Sequence, residues 1–226
     1  MPLDPPIDKP TKLARRISDE INAISSPNIP NVRAVRRKYS HILKAESPEL
    51  VISLSLRLLR QHHHRFVAYE LLAHHPAAFS RLGEAEIEQL GKGIDSWWSV
   101  DSYARTLAGP AWLKGQISDE LIEKWAHSTD RWWRRAALVS TVALNVRSRG
   151  GKGDTSRTLM ICSLLIKDQD DMVKKAMSWA LRELVVHDAH SVATFLAQNK
   201  QDLASRVTRE VNNKLSTGLK TPRHKV

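Results

Sequence analysis

Residues 131–147 of the chain read RWWRRAALVSTVALNVR, and their apolar residues recur at the spacing of an α-helix. The opening of this stretch has an echo further along, where residues 172–177 read MVKKAM. In both segments, basic residues immediately precede small and apolar ones at a predicted helix start. This echo indicates that the fold is built from similar helical units.

Helical spacing of apolar residues extends over most of the chain. Glycine accounts for only 9 of the 226 residues, and no segment shows the sustained alternation that a strand requires. Ser47-Pro48-Glu49 and Ser118-Asp119-Glu120 are typical helix starts. We therefore predict an all-α protein. The predicted helices are 11–25, 31–45, 48–60, 63–74, 84–94, 97–108, 118–127, 131–147, 155–167, 170–186, 189–198 and 201–215.

The predicted helices fall into pairs that repeat every ~35–40 residues, which is typical of helical repeats. This pattern favours an α-solenoid of HEAT-like antiparallel helix pairs with a concave basic groove. A compact helical bundle with a closed core is the alternative. We predict a flexible N-terminus over 1–10, a single HEAT-like repeat domain over 11–216 and a basic disordered tail over 217–226.

The net charge of +11 and the pI of about 10.0 favour a polyanionic partner, nucleic acid above all, over a merely soluble basic protein. The single cysteine, Cys162, lies in an apolar run. A chain with one cysteine cannot form an internal disulfide, which favours a reducing, cytoplasmic location. The N-terminus lacks the apolar core of a signal peptide. No stretch reaches the ~18 apolar residues of a membrane span.

Basic residues recur on several predicted helices. If equivalent helices line up on one surface, these residues form a stripe that matches a phosphate backbone. Solvated helix faces are the alternative interpretation. The predicted DNA-binding residues are Arg36, Arg131, Arg134, Arg135, Lys174, Lys175 and Arg182. The segment 147–154, RSRGGKGD, is either a flexible connection or a further phosphate contact.

An aromatic residue and an acid lie four positions apart at Trp97 and Asp101, which puts them on one face of a helix. Taken alone, Asp101 is best explained as a helix cap or as a partner of Arg105. The consecutive histidines 62–64 point apart on a helix and do not converge on a metal. We predict no metal site and no cofactor.

Four segments carry a resemblance to a known family: NVRAVRR (31–37), SWWSVDS (96–102), WWRRAA (132–137) and KAMSWALRE (175–183). Together they resemble the AlkD family of DNA alkylation repair enzymes, the HEAT-like-repeat DNA glycosylases, over most of residues 30–200. The resemblance implies hydrolysis of the N-glycosidic bond of cationic N3- or N7-alkylpurines in duplex DNA, without base flipping. It implies a catalytic Asp101, aromatic partners at Trp97 and Trp179, and a phosphate-binding Arg135. We expect a monomer that acts on DNA.

The chemistry is consistent with these residue types. As the glycosidic bond of an alkylated purine breaks, positive charge moves to the sugar, where a carboxylate and aromatic ring faces stabilise it. The base leaves neutral, so the paired carboxylates of ordinary glycoside hydrolysis are not required. Two alternatives stay open: a non-catalytic DNA-binding HEAT-like solenoid that recognises bent, branched or damaged DNA, and a helical scaffold that binds protein.

Overall fold

The computed structural model describes residues 8–222. Every regular element in this range is helical, which confirms the predicted all-α class. Contacts cluster into two compact units, Met1–Lys92 and Gly93–Val226, and the predicted domain limits of 11–216 span both of them. Within the described range, no helix combines the length and the apolar character that crossing a membrane requires.

The first unit is built around its third helix. Its helices are α1 (Lys9–Asn22), α2 (Ile29–Ile42), α3 (Pro48–Arg60), α4 (Arg65–Ala73), α5 (Pro76–Phe79) and α6 (Glu84–Gly91). α3 packs against α1 and α4 and buries Leu54 and Leu58 completely. α2 packs against α4, where Arg33 and Arg36 both donate hydrogen bonds to the Glu70 carboxylate.

The second unit is built around α10. Its helices are α7 (Trp97–Tyr103), a π-helical segment (Ala104–Ala108), α8 (Gly109–Leu113), α9 (Asp119–Ala126), α10 (Arg131–Asn145), a 3-10 turn (Arg147–Arg149), α11 (Thr155–Leu164), α12 (Asp171–Leu184), α13 (Ala189–Gln198) and α14 (Ser205–Thr217). α10 packs against α7, α8, α9, α11 and α12, and α12 packs in turn against α14. Every residue from Arg135 to Asn145 is buried, so α10 forms the centre of the core.

The helix starts follow the predicted capping signals. The Ser47 hydroxyl accepts the backbone N–H of Leu50 at the start of α3, and the Ser118 hydroxyl accepts the N–H of Leu121 at the start of α9. Each bond satisfies a donor that the helix itself leaves unpaired. At α10 the cap is Asp130, whose Oδ1 accepts from the N–H of Trp132.

The predicted helix over 97–108 changes geometry at Ala104. Pro110 has no N–H to continue the regular ladder, and the Gly109 N–H donates to the carbonyl of Ala104, five residues back. Gly109 lies so close to α10 that a Cβ there would be 2.6 Å from the Ser140 carbonyl oxygen.

Most residues of the segment 147–154 are exposed, but two of its glycines lie against the rest of the unit. A Cβ on Gly151 would lie 2.6 Å from the backbone of Leu144, and Gly153, at a φ of +93°, faces the ring of His187. The predicted terminal segments lie partly outside the described residues, namely at 1–7 and 223–226. Within the described part, α1 begins at Lys9, and Asn213 Nδ2 of α14 donates to the carbonyl of Lys220.

Candidate active site

Trp97 and Trp98 begin α7 and expose their rings. The helix is capped by Ser96, whose hydroxyl accepts the N–H of Ser99 at 3.3 Å. The two indoles meet edge to face with ring centroids 6.1 Å apart, and the residues are 54% and 45% exposed. Trp112, in contrast, is fully buried. An adjacent pair of exposed indoles marks this end of α7 as a candidate binding surface.

Asp101 lies one turn further along α7 and is held by Arg135 of α10. Arg135 Nε donates to Oδ1 and Nη2 donates to Oδ2, both at 2.9 Å. The third nitrogen, Nη1, donates to the backbone carbonyl of Met172 in α12. The Arg135 side chain is only 6% exposed and that of Asp101 16%. One guanidinium therefore fixes the carboxylate of α7 relative to α12.

Opposing effects act on the ionisation of Asp101. Burial raises the pKa of its carboxyl above the ordinary value. The hydrogen bonds and the positive charge of Arg135 act in the opposite direction, and the charge of Arg105 adds to them. Because the bidentate contact uses both oxygens as acceptors, the paired form of Asp101 is the ionised carboxylate. The site thus holds a negative charge in partly desolvated surroundings.

Trp179 lies on α12 with its ring against Arg105. The guanidinium carbon of Arg105 is 5.1 Å from the ring centroid, within the range of a cation–π contact. The indole Nε1 of Trp179 donates to Glu183 Oε1 at 2.9 Å, which fixes the orientation of the ring. The resemblance assigns the Trp179 ring to a substrate cation, but in the free protein an arginine lies over this ring.

These contacts bring three of the predicted site residues, Asp101, Arg135 and Trp179, into one neighbourhood. Asp101 is bound to Arg135, and Arg105 links the surroundings of Asp101 to Trp179. Trp97 lies one helical turn before Asp101. The sequence spacing predicts Arg105 as an i+4 partner of Asp101, whereas the structure places its guanidinium over Trp179. Pro110, five residues after Arg105, is the sequence signal that the helix is irregular in this region.

Every basic residue predicted to bind DNA has a polar partner within the protein. The pairs are Arg36–Glu70, Arg131–Asp170, Arg134–Asp168, Arg135–Asp101, Lys174–Gln169, Lys175–Asp171 and Arg182–Ser178. Arg36 and Arg135 are also buried, so in the free protein they serve the packing of their units. Arg131 and Lys175, with 52% and 40% of their side chains exposed, are better placed to reach a phosphate.

The site has no set of side chains suited to a metal. Among residues 8–222, no group of three or more His, Cys, Asp or Glu side chains is placed to hold a metal ion. The chemistry that the described site offers is a fixed carboxylate between aromatic side chains and arginines. Such an arrangement can stabilise a positive charge that develops on a bound molecule.

Comparison with known proteins gives one family. No curated protein was found to match the chain. The family described as "DNA alkylation repair enzyme" matches residues 23–215, which is most of the chain and includes the site on α7, α10 and α12. The chain therefore belongs to the DNA alkylation repair enzyme family.

Proposed function

We propose that the protein is a monofunctional DNA glycosylase that hydrolyses the N-glycosidic bond of cationic N3- and N7-alkylpurines in duplex DNA, without base flipping. The observation that carries the proposal is the ionised Asp101 carboxylate, which Arg135 holds by two hydrogen bonds in a partly buried position. Family membership supports the assignment to DNA repair.

In the proposed reaction, the bond between C1′ of the sugar and the base nitrogen breaks, and the electron pair leaves with the base. The cationic base becomes neutral, and positive charge develops on the sugar. Asp101 stabilises this charge and orients the water that attacks C1′; the proton of that water passes to solvent. Because the fixed carboxylate does not need to reorganise during the reaction, its stabilisation is larger than that of water.

Arg135 has a different role in this proposal from the one that the resemblance implies. Its donors are directed to Asp101 and to the Met172 carbonyl, so it acts as a positioning residue for the carboxylate. Trp97 offers an exposed ring on the same helix as Asp101, and Trp179 offers a second ring on α12. Each ring face is worth ~0.5–2 kcal/mol towards a cation, depending on how far it is desolvated.

We further propose that the DNA lies on a basic surface of HEAT-like helix pairs and that a monomer suffices. The succession of α10, α12 and α14 within Gly93–Val226 supports the repeat arrangement, since like-placed helices pack side by side. Arg131, Lys174 and Lys175 contact phosphates on this surface, while Arg134 and Arg182 do so after exchanging their present partners. Arg36 supports the first unit through Glu70.

The decisive experiment measures 7-methylguanine released from methylated duplex DNA, corrected for spontaneous depurination. We expect release by the wild type and none above background by Asp101→Asn. The matched control is Asp119→Asn, which removes another carboxylate of the same unit that pairs with an arginine, Arg157, and it should retain release. Salt-sensitive DNA binding without any base release by the wild type would contradict the proposal and favour the non-catalytic alternative.

A further inference from the structure

Arg105 has an unusual position for a charged side chain beside a carboxylate. It lies in the π-helical segment after α7, with its guanidinium over the Trp179 ring. Its Nε is buried, and among the described residues it has no hydrogen-bond partner. The oxygens of the Asp101 carboxylate accept from Arg135 instead.

Other arginines that lie over rings are different in this respect. Arg33 lies over Phe66, Arg131 over Trp132 and Arg157 over Trp112. Each of these three also forms an ion pair, with Glu70, Asp170 and Asp119 respectively. Within residues 8–222, Arg105 has a ring contact but no carboxylate within ion-pair distance. A structural role accounts for the three paired arginines, whereas the missing acceptor of Arg105 points to a ligand.

An anion suits this missing acceptor. A guanidinium presents its donors in a planar fork that matches the oxygens of a phosphate. The positive charge of Arg105 at this place would also oppose the binding of a cationic base, since like charges repel at short range. A phosphodiester on Arg105 removes both problems, because it supplies the acceptor and offsets the charge.

We propose that Arg105 binds a phosphodiester of DNA next to the reacting nucleotide and, in doing so, leaves the face of Trp179 to the cationic base. This inference rests on the proposed function, because it places the reacting nucleotide at Asp101. Arg105 is then the phosphate contact of the site, while Arg135 keeps the carboxylate in position. The ligand is the DNA backbone itself, so binding does not depend on a lesion.

The test measures the dissociation constant for unmodified duplex DNA over a series of salt concentrations. Loss of one phosphate contact lowers the slope of log K against log salt by about 0.9. We expect this decrease in Arg105→Gln and in Arg105→Met, which keeps apolar bulk against Trp179. Arg105→Lys should restore most of the slope. The matched control Arg157→Gln removes an arginine that also lies over a tryptophan but is paired, and it should leave the slope unchanged.

A second measurement locates the contact. Single phosphates around a 7-methylguanine are replaced by neutral methylphosphonates, with binding measured in the Asp101→Asn background. Replacement of one particular phosphate should weaken the binding of DNA to Asp101→Asn. The same replacement should not change the binding of DNA to Asp101→Asn/Arg105→Gln. A wild-type slope in both neutral variants, or an equal decrease in Arg157→Gln, would overturn the inference. Because neither readout requires excision, failure of the glycosylase proposal is detected separately by the assay of base release.

Discussion

Replacing Arg135 by glutamine tests whether this buried guanidinium holds the Asp101 carboxylate in place. The change removes three hydrogen bonds, two to Asp101 and one to the Met172 carbonyl, and leaves a charge in a partly buried position. Breaking a buried ion pair from one side costs about 3–5 kcal/mol. Water can reach the 16% of the Asp101 side chain that is exposed, so we expect the lower end, about 3 kcal/mol. For a chain of this size, that loss lowers Tm by roughly 6–12 °C.

The same substitution should change the pH dependence of base release. Arg135 lowers the pKa of Asp101, so its removal lets burial raise that pKa further. Because the proposed reaction requires the ionised carboxylate, we expect activity to be lost as the pH falls through the pKa of Asp101. The acid limb of kcat/KM should therefore move to higher pH in Arg135→Gln than in the wild type.

Two further variants complete this experiment. Asp101→Asn/Arg135→Gln has no unpaired charge, so its Tm should lie closer to that of the wild type than the Tm of Arg135→Gln does. Arg157→Gln breaks an exposed pair with Asp119 and should cost about 1 kcal/mol or less. Equal Tm losses in Arg135→Gln and Arg157→Gln, together with an unchanged acid limb, would refute the role assigned to Arg135.

Two other predictions separate packing from binding. Trp97→Ala should reduce base release while leaving Tm nearly unchanged, because the residue is 54% exposed. Trp112 is fully buried, so Trp112→Ala should lower the free energy of unfolding in urea by about 3–5 kcal/mol. A large Tm loss in Trp97→Ala would contradict this prediction. Gly109→Ala should destabilise by ~1–3 kcal/mol through overpacking against the Ser140 carbonyl, while Gly83→Ala, which meets only the flexible end of Glu86, should cost less. Thermal unfolding of this pair is the measurement, and equal losses would contradict the close packing at Gly109.

Much of the fold could be predicted because its signals are local. Apolar spacing identified the helices, and Ser47 and Ser118 cap the helices that they were predicted to start. α5 and α8 were missed because they have only four and five residues, too few to show a period. The π-helical segment was missed because it depends on Pro110 together with the close approach of Gly109 to α10.

The partners of the site residues could not be predicted, because they are distant in sequence. Arg135 and Asp101 are 34 positions apart, and Arg134 and Asp168 are also 34 apart. A list of basic residues therefore overstates the charge available to DNA, since the sequence does not show which cations already have a carboxylate beside them. For the same reason, the contact of Arg105 with Trp179 cannot be predicted from the spacing of Arg105 and Asp101.

The central position of α10 has a consequence for how the second unit opens. A helix that packs on few neighbours opens more readily than one that is surrounded by other helices, because fewer contacts hold it in place. α14 packs mainly on α12, whereas α10 is surrounded by five helices. Amide hydrogens of α14 should therefore exchange with solvent well before those of α10. Since α10 carries Arg135, the carboxylate of Asp101 would keep its hydrogen-bond partner while α14 opens and closes. Local unfolding of α14 would then leave the candidate site intact.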